Sequence, residues 1–231
     1  MTRLIVDDAA QGCALEDCPW LAHYPMRGSL PGSHELGKRI FDLVAASIAL
    51  VVAIPLLALA ALIIKATSPR GPVCFVQLRT GYQGRQFKLL KLRTMVPDAE
   101  AQKAQLAHLN ARCWPDFKIE HDPRITRVCR VLRATSIDEL PQLFNVLRGD
   151  MSLVGPRPTS MSPDRYTLWQ YERFDVRPGL TGLWQISARD SSSFDHRLRL
   201  DIAYAARQSL RLDLAILVRT VPVVVLGRGA L

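Results

Sequence analysis

Residues 41–64 (FDLVAASIALVVAIPLLALAALII) form an apolar run of 24 residues with one charge, Asp42, near its start and one proline, Pro55, past its middle. A straight helix of that length measures about 36 Å, against about 30 Å for the hydrocarbon core of a bilayer. Length permits a crossing, but Pro55 lacks the amide proton of the helical ladder and its ring meets the carbonyl four residues back. It divides the run into arms of 14 and 10 residues, about 21 and 15 Å long, and neither crosses alone. Such a segment places the chain at a membrane. Downstream, Lys65, Arg70, Arg79, Arg85, Lys88, Lys91 and Arg93 all precede the next acidic residue, which assigns that side to the cytoplasm. Lys38 and Arg39 flank the other end. A re-entrant hairpin that dips in and returns is the preferred reading, and a kinked spanning helix the alternative.

The chain then reads as three parts: a loosely ordered tail over 1–37, a re-entrant helix over 38–67, and one cytoplasmic domain over 68–231, large enough for a single core. The tail lacks the basic start and adjoining apolar stretch of a signal peptide. Five scattered cysteines, without paired spacing near histidines, indicate neither a disulfide framework nor a zinc site. The net charge of +9 suits anionic lipid, nucleic acid or small phosphorylated substrates, and composition does not separate these.

Past the apolar run, residues 73–77 and 87–92 read as short strands joined by a turn carrying Gly81 and Gly84. Lys91 and Arg93 alternate onto one strand face, two cations that call for anions nearby. Residues 98–111 read as an exposed helix. Leu140, Leu143, Phe144 and Leu147 repeat at helical spacing, and Pro141, tolerated only in a first turn, places that helix's start near residues 136–138. Asp138 and Glu139 then sit at the positive end of a helix dipole, which favours their ionised forms. A capping box, with Ser136 as N-cap and Glu139 returning to the backbone, is the plain explanation. The other is a nucleophilic aspartate beside a magnesium-binding glutamate. Arg133, five residues upstream, and Arg157, held rigid between Pro156 and Pro158, are suited to phosphate oxygens. Residues 210–227 are too charged to span and apolar enough to lie along an interface or pack on the core. Trp169, Trp184 and Phe194 are candidates for stacking a base or sugar, or for the core.

From residue 38 onward the motifs accumulate. They are KRIFD from Lys38, QLRTG from Gln77 with Gly84, KLRTM from Lys91, DPRIT from Asp122, DELPQL from Asp138, NVL from Asn145, GDMS from Gly149, VGPRP from Val154 and RPGLTG from Arg177. In these the chain resembles the bacterial sugar transferases, the monotopic phosphoglycosyl transferases that move a sugar phosphate from a UDP-sugar to a polyprenyl phosphate. The resemblance implies an α+β fold: a re-entrant membrane helix hairpin joined to a small, mostly helical cytoplasmic catalytic domain with a short β-hairpin and in-plane amphipathic helices. It implies Asp138 as nucleophile and Glu139 as magnesium ligand. It also implies Arg133, Arg157 and Lys91 as phosphate-binding residues, which Arg93 joins on the strand-face reading, and Asp201 as a further functional carboxylate. Mg2+ is the implied cofactor, and UDP-galactose or UDP-glucose, undecaprenyl phosphate and membrane lipid the implied partners, at the bacterial inner membrane with the catalytic domain on the cytoplasmic face. A homo-oligomer is left open. Two positions depart from the family: Ile54 stands where it has serine before the hairpin proline, and Cys129 where it usually has glycine. Two other classes compete. A water-using phosphohydrolase would employ Asp138 and magnesium, and a membrane-tethered nucleic-acid binder would use Gly81-Tyr82-Gln83-Gly84 as a backbone clamp, although the expected partners include no nucleic acid.

Overall fold

In the computed structural model, residues 14–26, 33–111, 115–119, 121–187 and 193–225 are described. The apolar run lies within a single helix, α1 (Ser33–Thr67), which continues through Pro55. Its polar and small residues Lys38, Asp42, Ala46, Ala53 and Ala60, with Ile64, form one buried stripe at helical spacing. Val44, Ile48, Val51, Val52, Leu59 and Leu62 are exposed. Among the described residues this is the one helix long and apolar enough to cross a membrane, and 17% of its most apolar window is buried in protein. The rest of that window needs an apolar surrounding.

Both ends of α1 are fastened to the same domain. Near the start, the Arg39 guanidinium donates to the Val146 and Leu147 carbonyls at 2.6 and 2.8 Å, closing the C-terminal end of a helix whose last carbonyls lack intrahelical partners. Near the end, Ala60 and Ile64 pack with Leu92, Cys129 and Leu132. Cys129 is 3% exposed there, so its thiol takes a place in a small apolar cluster.

Strands β1 (Cys74–Thr80) and β2 (Gln86–Leu92) pair antiparallel from Cys74↔Leu92 to Thr80↔Gln86. The first strand outruns its expected end because Thr80 is also held by the Thr159 and Met161 carbonyls. Residues 98–111 do not form the expected helix. Three- and four-residue turns alternate there, ending in a 3-10 turn at Ala107–Leu109. Ala99 is the one buried apolar residue of this stretch, and so short a helix without a packed face is marginal in water.

A short helix, α2 (Arg127–Ala134), packs in the separate cluster at the end of α1, while the main core is built from α1, α3 (Gln142–Arg148), α4 (Leu183–Ser187), α5 (Phe194–Arg207) and α6 (Leu210–Val225) around β3 (Ser152–Val154) and β4 (Gly179–Thr181), which pair in parallel. Leu143, Val146, Met151, Val154, Leu183, Leu200, Leu212 and Ile216 fill its centre. β3 and β4 approach so closely that a Cβ on Gly155 would meet the Arg177 carbonyl at 2.3 Å. That contact fixes the chain leading into Pro156-Arg157-Pro158.

Part of the expected tail is ordered against this core. Ala14, Cys18 and Leu21 are at most 1% exposed, the Arg219 guanidinium lies 4.1 Å from the Trp20 ring centroid, and Asp17 meets His196 at 2.5 Å. The apolar spacing of Ala14, Cys18 and Leu21 carried that signal. In α6, Leu212 and Ile216 face inward while Leu214, Val218 and Val221 are exposed.

Candidate active site

Pro141 precedes α3 as expected, but the approach to it differs from a capped helix start. Ser136 takes a left-handed conformation (φ 57°) and its side chain caps nothing. A 3-10 turn, Ile137–Glu139, follows, and Glu139 turns away from the backbone. The capping-box explanation fails on both of its hydrogen bonds. A non-glycine residue at positive φ is costly and persists where the surroundings demand it. Here the turn directs the two carboxylates into different environments.

Glu139 is clamped. Lys91 Nζ donates to its Oε1 at 2.8 Å, Arg157 Nη1 to its Oε2 at 3.1 Å, and Arg157 Nη2 also to Oε1. Burial alone would raise this carboxyl, but Arg157 and Lys91 outweigh it and hold Glu139 well below the ordinary glutamate range. Glu139 in turn raises Arg157, while burial lowers Lys91 despite the same partner.

Asp138, one residue earlier, is 8% exposed and has no hydrogen-bond partner among the described residues. Burial raises its carboxyl above the ordinary aspartate range, with Lys91 pulling the other way and Glu139 adding to the rise. Neighbouring carboxylates pushed apart in this way are suited to separate tasks. One is engaged by two cations, and the other makes no hydrogen bond among the described residues.

The positions of the partners follow from the fold. Asn145, fully buried on α3, accepts from the Leu90 amide and donates to the Lys88 carbonyl. It acts as a substitute strand neighbour for β2 and sets Lys91 opposite Glu139. Arg157 is held from behind: Arg173 donates to the Arg157 carbonyl at 2.7 Å and to Asp201 Oδ2 at 2.6 Å. Asp201, pushed up to about 6 by burial and drawn back by Arg173 and the Arg157 backbone amide, supports Arg157 from the side away from Glu139. Arg133, half-buried at the end of α2, is near enough to draw Asp138's pKa downward.

Arg93 is not with these groups. Its guanidinium turns to the Ser68 carbonyl at 2.9 Å, just past the end of α1, and lies over Gly71. Pro55 lies within α1, outside this cluster. Trp184 and Phe194 hold the Arg197 guanidinium, and Trp169 that of Arg199, so each aromatic candidate already has a cation on its ring. The Gly81–Gly84 segment closes the hairpin with Gly81 against Phe87 and Arg177 over the Tyr82 ring. Asn145, Arg173 and Arg79 carry no role in the reading of the sequence. Asn145 and Arg79 stood inside the NVL and QLRTG motifs, which was the available signal.

Comparison with known proteins identifies the family. The family model for the bacterial sugar transferases matches residues 33–227. The chain is 41% identical over 204 residues to the exopolysaccharide production protein ExoY of Rhizobium meliloti (strain 1021), covering 84% of this chain and 88% of that one. It is 46% identical over 203 residues to the UDP-glucose:undecaprenyl-phosphate glucose-1-phosphate transferase of Caulobacter vibrioides, covering 81% and 69%. To the galactosyl transferase CpsE of Streptococcus agalactiae it is 42% identical over 200 residues, covering 86% of this chain and 44% of that protein. It thus spans less than half the length of that relative.

Proposed function

The chain belongs to the bacterial sugar transferase family, and on that premise we propose that it transfers a hexose 1-phosphate from UDP-galactose or UDP-glucose to undecaprenyl phosphate, releasing UMP. The observation that carries this reading is the division of labour at residues 138 and 139: a bare, buried carboxylate beside one fully engaged by two cations. An Asp138 Oδ attacks the sugar-bearing phosphorus. The new O–P bond forms as the bond to the bridging oxygen breaks, and that electron pair leaves on UMP. A phosphate oxygen of undecaprenyl phosphate then attacks the same phosphorus and frees Asp138. Lys91, Arg133 and Arg157 offset the repulsion between carboxylate and phosphate in each step. Asp201 and Arg173 hold the Arg157 backbone in position.

No group of three or more metal-ligating His, Cys, Asp or Glu side chains occurs among the described residues. Magnesium takes one or two carboxylates and completes its shell with substrate phosphate and water; Asp138 leaves its oxygens open to such an ion, whereas Glu139 would hold it on giving up Lys91 or Arg157, to which both its oxygens are bonded. When bound it would neutralise charge on the diphosphate.

The membrane reading draws on α1. Its two ends pack on one domain, basic residues flank both, and one stripe of the helix faces protein along its length. These support a monotopic, re-entrant insertion with the catalytic domain at the cytoplasmic face of the inner membrane. The exposed Leu214, Val218 and Val221 suit α6 to the same interface. The test is incubation with UDP-sugar alone: intact mass should rise by one hexose phosphate, with one UMP released, and undecaprenyl phosphate should discharge the adduct to lipid. Free sugar phosphate as the sole product would instead identify a phosphohydrolase.

A further inference from the structure

Arg79, on β1, makes no ion pair among the described residues, and Glu139 acts on it only from beyond ion-pair distance. Its Nε and Nη2 donate to Gln77 Oε1 at 3.1 and 2.6 Å, and its Nη1 to the Pro158 carbonyl at 3.4 Å. These neutral acceptors fix the plane of the guanidinium without discharging it. No carboxylate lies within ion-pair distance among the described residues. Burial, and next the like charge of Arg157, push Arg79 down to about 10. Keeping two guanidinium groups together with one shared glutamate is unfavourable in the empty protein and becomes favourable once an anion arrives.

Position narrows the identity of the anion. Phe75 pairs with Lys91, and Arg79 lies further along the same face of β1, so Lys91 and Arg79 share one side of the hairpin. Glu139 bonds both Lys91 and Arg157, and the Pro158 carbonyl beside Arg157 accepts from Arg79. The groups therefore run from Lys91, through the Glu139 clamp and Arg157, to Arg79, with Asp138 and Arg133 beside the clamp. Together they set four cations against two carboxylates, an excess that matches a diphosphate. A donor whose sugar-bearing phosphorus is at Asp138 has its second phosphate displaced toward the far end of this row.

We propose that Arg79 binds the nucleotide-side phosphate of the donor and carries the charge that develops on UMP as it leaves. This rests on the transferase reading of the site and adds a residue that the site's other groups do not replace. A guanidinium hydrogen bond to phosphate gives a scale of about tenfold or more in affinity.

Three variants test it, with UMP as the probe in binding titrations and UDP-galactose or UDP-glucose in adduct formation. Arg79→Gln should weaken UMP binding about tenfold or more and slow adduct formation at subsaturating donor by the same factor. Arg79→Lys, which keeps the charge, should recover part of both. Gln77→Glu, which leaves Arg79 in place and gives it a counter-ion, should also weaken UMP binding while preserving the fold. Because the acceptor phosphate enters in line, where UMP left, discharge of preformed adduct by undecaprenyl phosphate should slow in Arg79→Gln as well and recover in part in Arg79→Lys. Unchanged UMP affinity in Gln77→Glu, or Arg79→Lys no better than Arg79→Gln, would make Arg79 a structural brace and overturn the proposal. Failure of the unaltered protein to form an adduct is a separate result that would remove the covalent transferase reading, and UMP titration would still report on Arg79 directly.

Discussion

Two charged clusters of the molecule use the same residue types for opposite ends. At the foot of α1, Lys38 Nζ lies 2.6 Å from Asp213 and 3.2 Å from the Val154 carbonyl, Asp42 accepts from the Leu153 amide, and the Tyr204 hydroxyl lies 2.7 Å from Asp213. Each side chain is less than a tenth exposed, and each charge has an answer. At residues 138 and 139 the count does not close: cations outnumber carboxylates, Asp138 feels Lys91, Arg133 and Arg157 but makes no hydrogen bond among the described residues, and the Lys91 and Glu139 side chains remain 20% and 17% exposed. A closed cluster fixes α1 to the domain. An open one is incomplete until substrate joins it.

Substitutions at the two clusters should therefore part company. The largest effect is expected from Asp138→Asn, which should reduce turnover on the order of a thousandfold or more and eliminate the adduct. Burial raises the folded pKa of this group. Its ionised form thus opposes folding, a penalty fully present above the folded pKa and relieved as pH falls through it toward the unfolded value. At neutral pH the Asn variant should melt no lower than the unaltered protein, and thermal scans check this. Asp213→Asn should do the reverse. It removes the charge of Lys38's nearest partner but leaves Asp42 at 3.9 Å and the Val154 carbonyl, and burial raises the Asp213 carboxyl too, so the loss should be about 1–2 kcal/mol, measurable by chemical denaturation, while the molecules that remain folded still form adduct.

Glu139→Gln sits between these cases. Lys91 and Arg157 would lose their shared partner at a partly open site, so stability should fall by about 1–2 kcal/mol, and turnover should fall with it because the phosphate-binding side chains lose their alignment. The smallest effect concerns pH. Since attack requires the ionised carboxyl, the rate of adduct formation should decline on the acid side around a pKa above that of an ordinary aspartate, about 3.9. A limb at or below that value would mean that Asp138 is solvated rather than buried.

Much of this organisation was readable in the chain, because it depends on local chemistry. Pro141 marks where α3 begins, the paired strands bracket Gly81 and Gly84, and the rigid Pro-Arg-Pro segment delivers Arg157 to a carboxylate. The misreadings have tertiary causes. Ser136 and Glu139 satisfy a capping-box pattern, but Lys91 and Arg157, distant in sequence, compete for Glu139 and win. Residues 98–111 have the composition of a helix and no surface to pack against. Residues 14–24 look like a tail until α5 and α6 supply a groove for Leu21 and Trp20. Arg93 shares a strand pattern with Lys91, yet the carbonyl of Ser68 at the end of α1 captures it. Asp201 lies behind Arg157, held with Arg173, rather than beside Asp138.

The central claim is that Asp138 carries the phosphosugar. Purified protein should be incubated with UDP-galactose or UDP-glucose in the absence of lipid acceptor and its intact mass followed alongside UMP release. The expected result is one hexose phosphate per chain, mapped to the peptide containing Asp138, matched by one UMP and absent from Asp138→Asn. Sustained transfer to undecaprenyl phosphate by the Asp138→Asn protein would contradict the account.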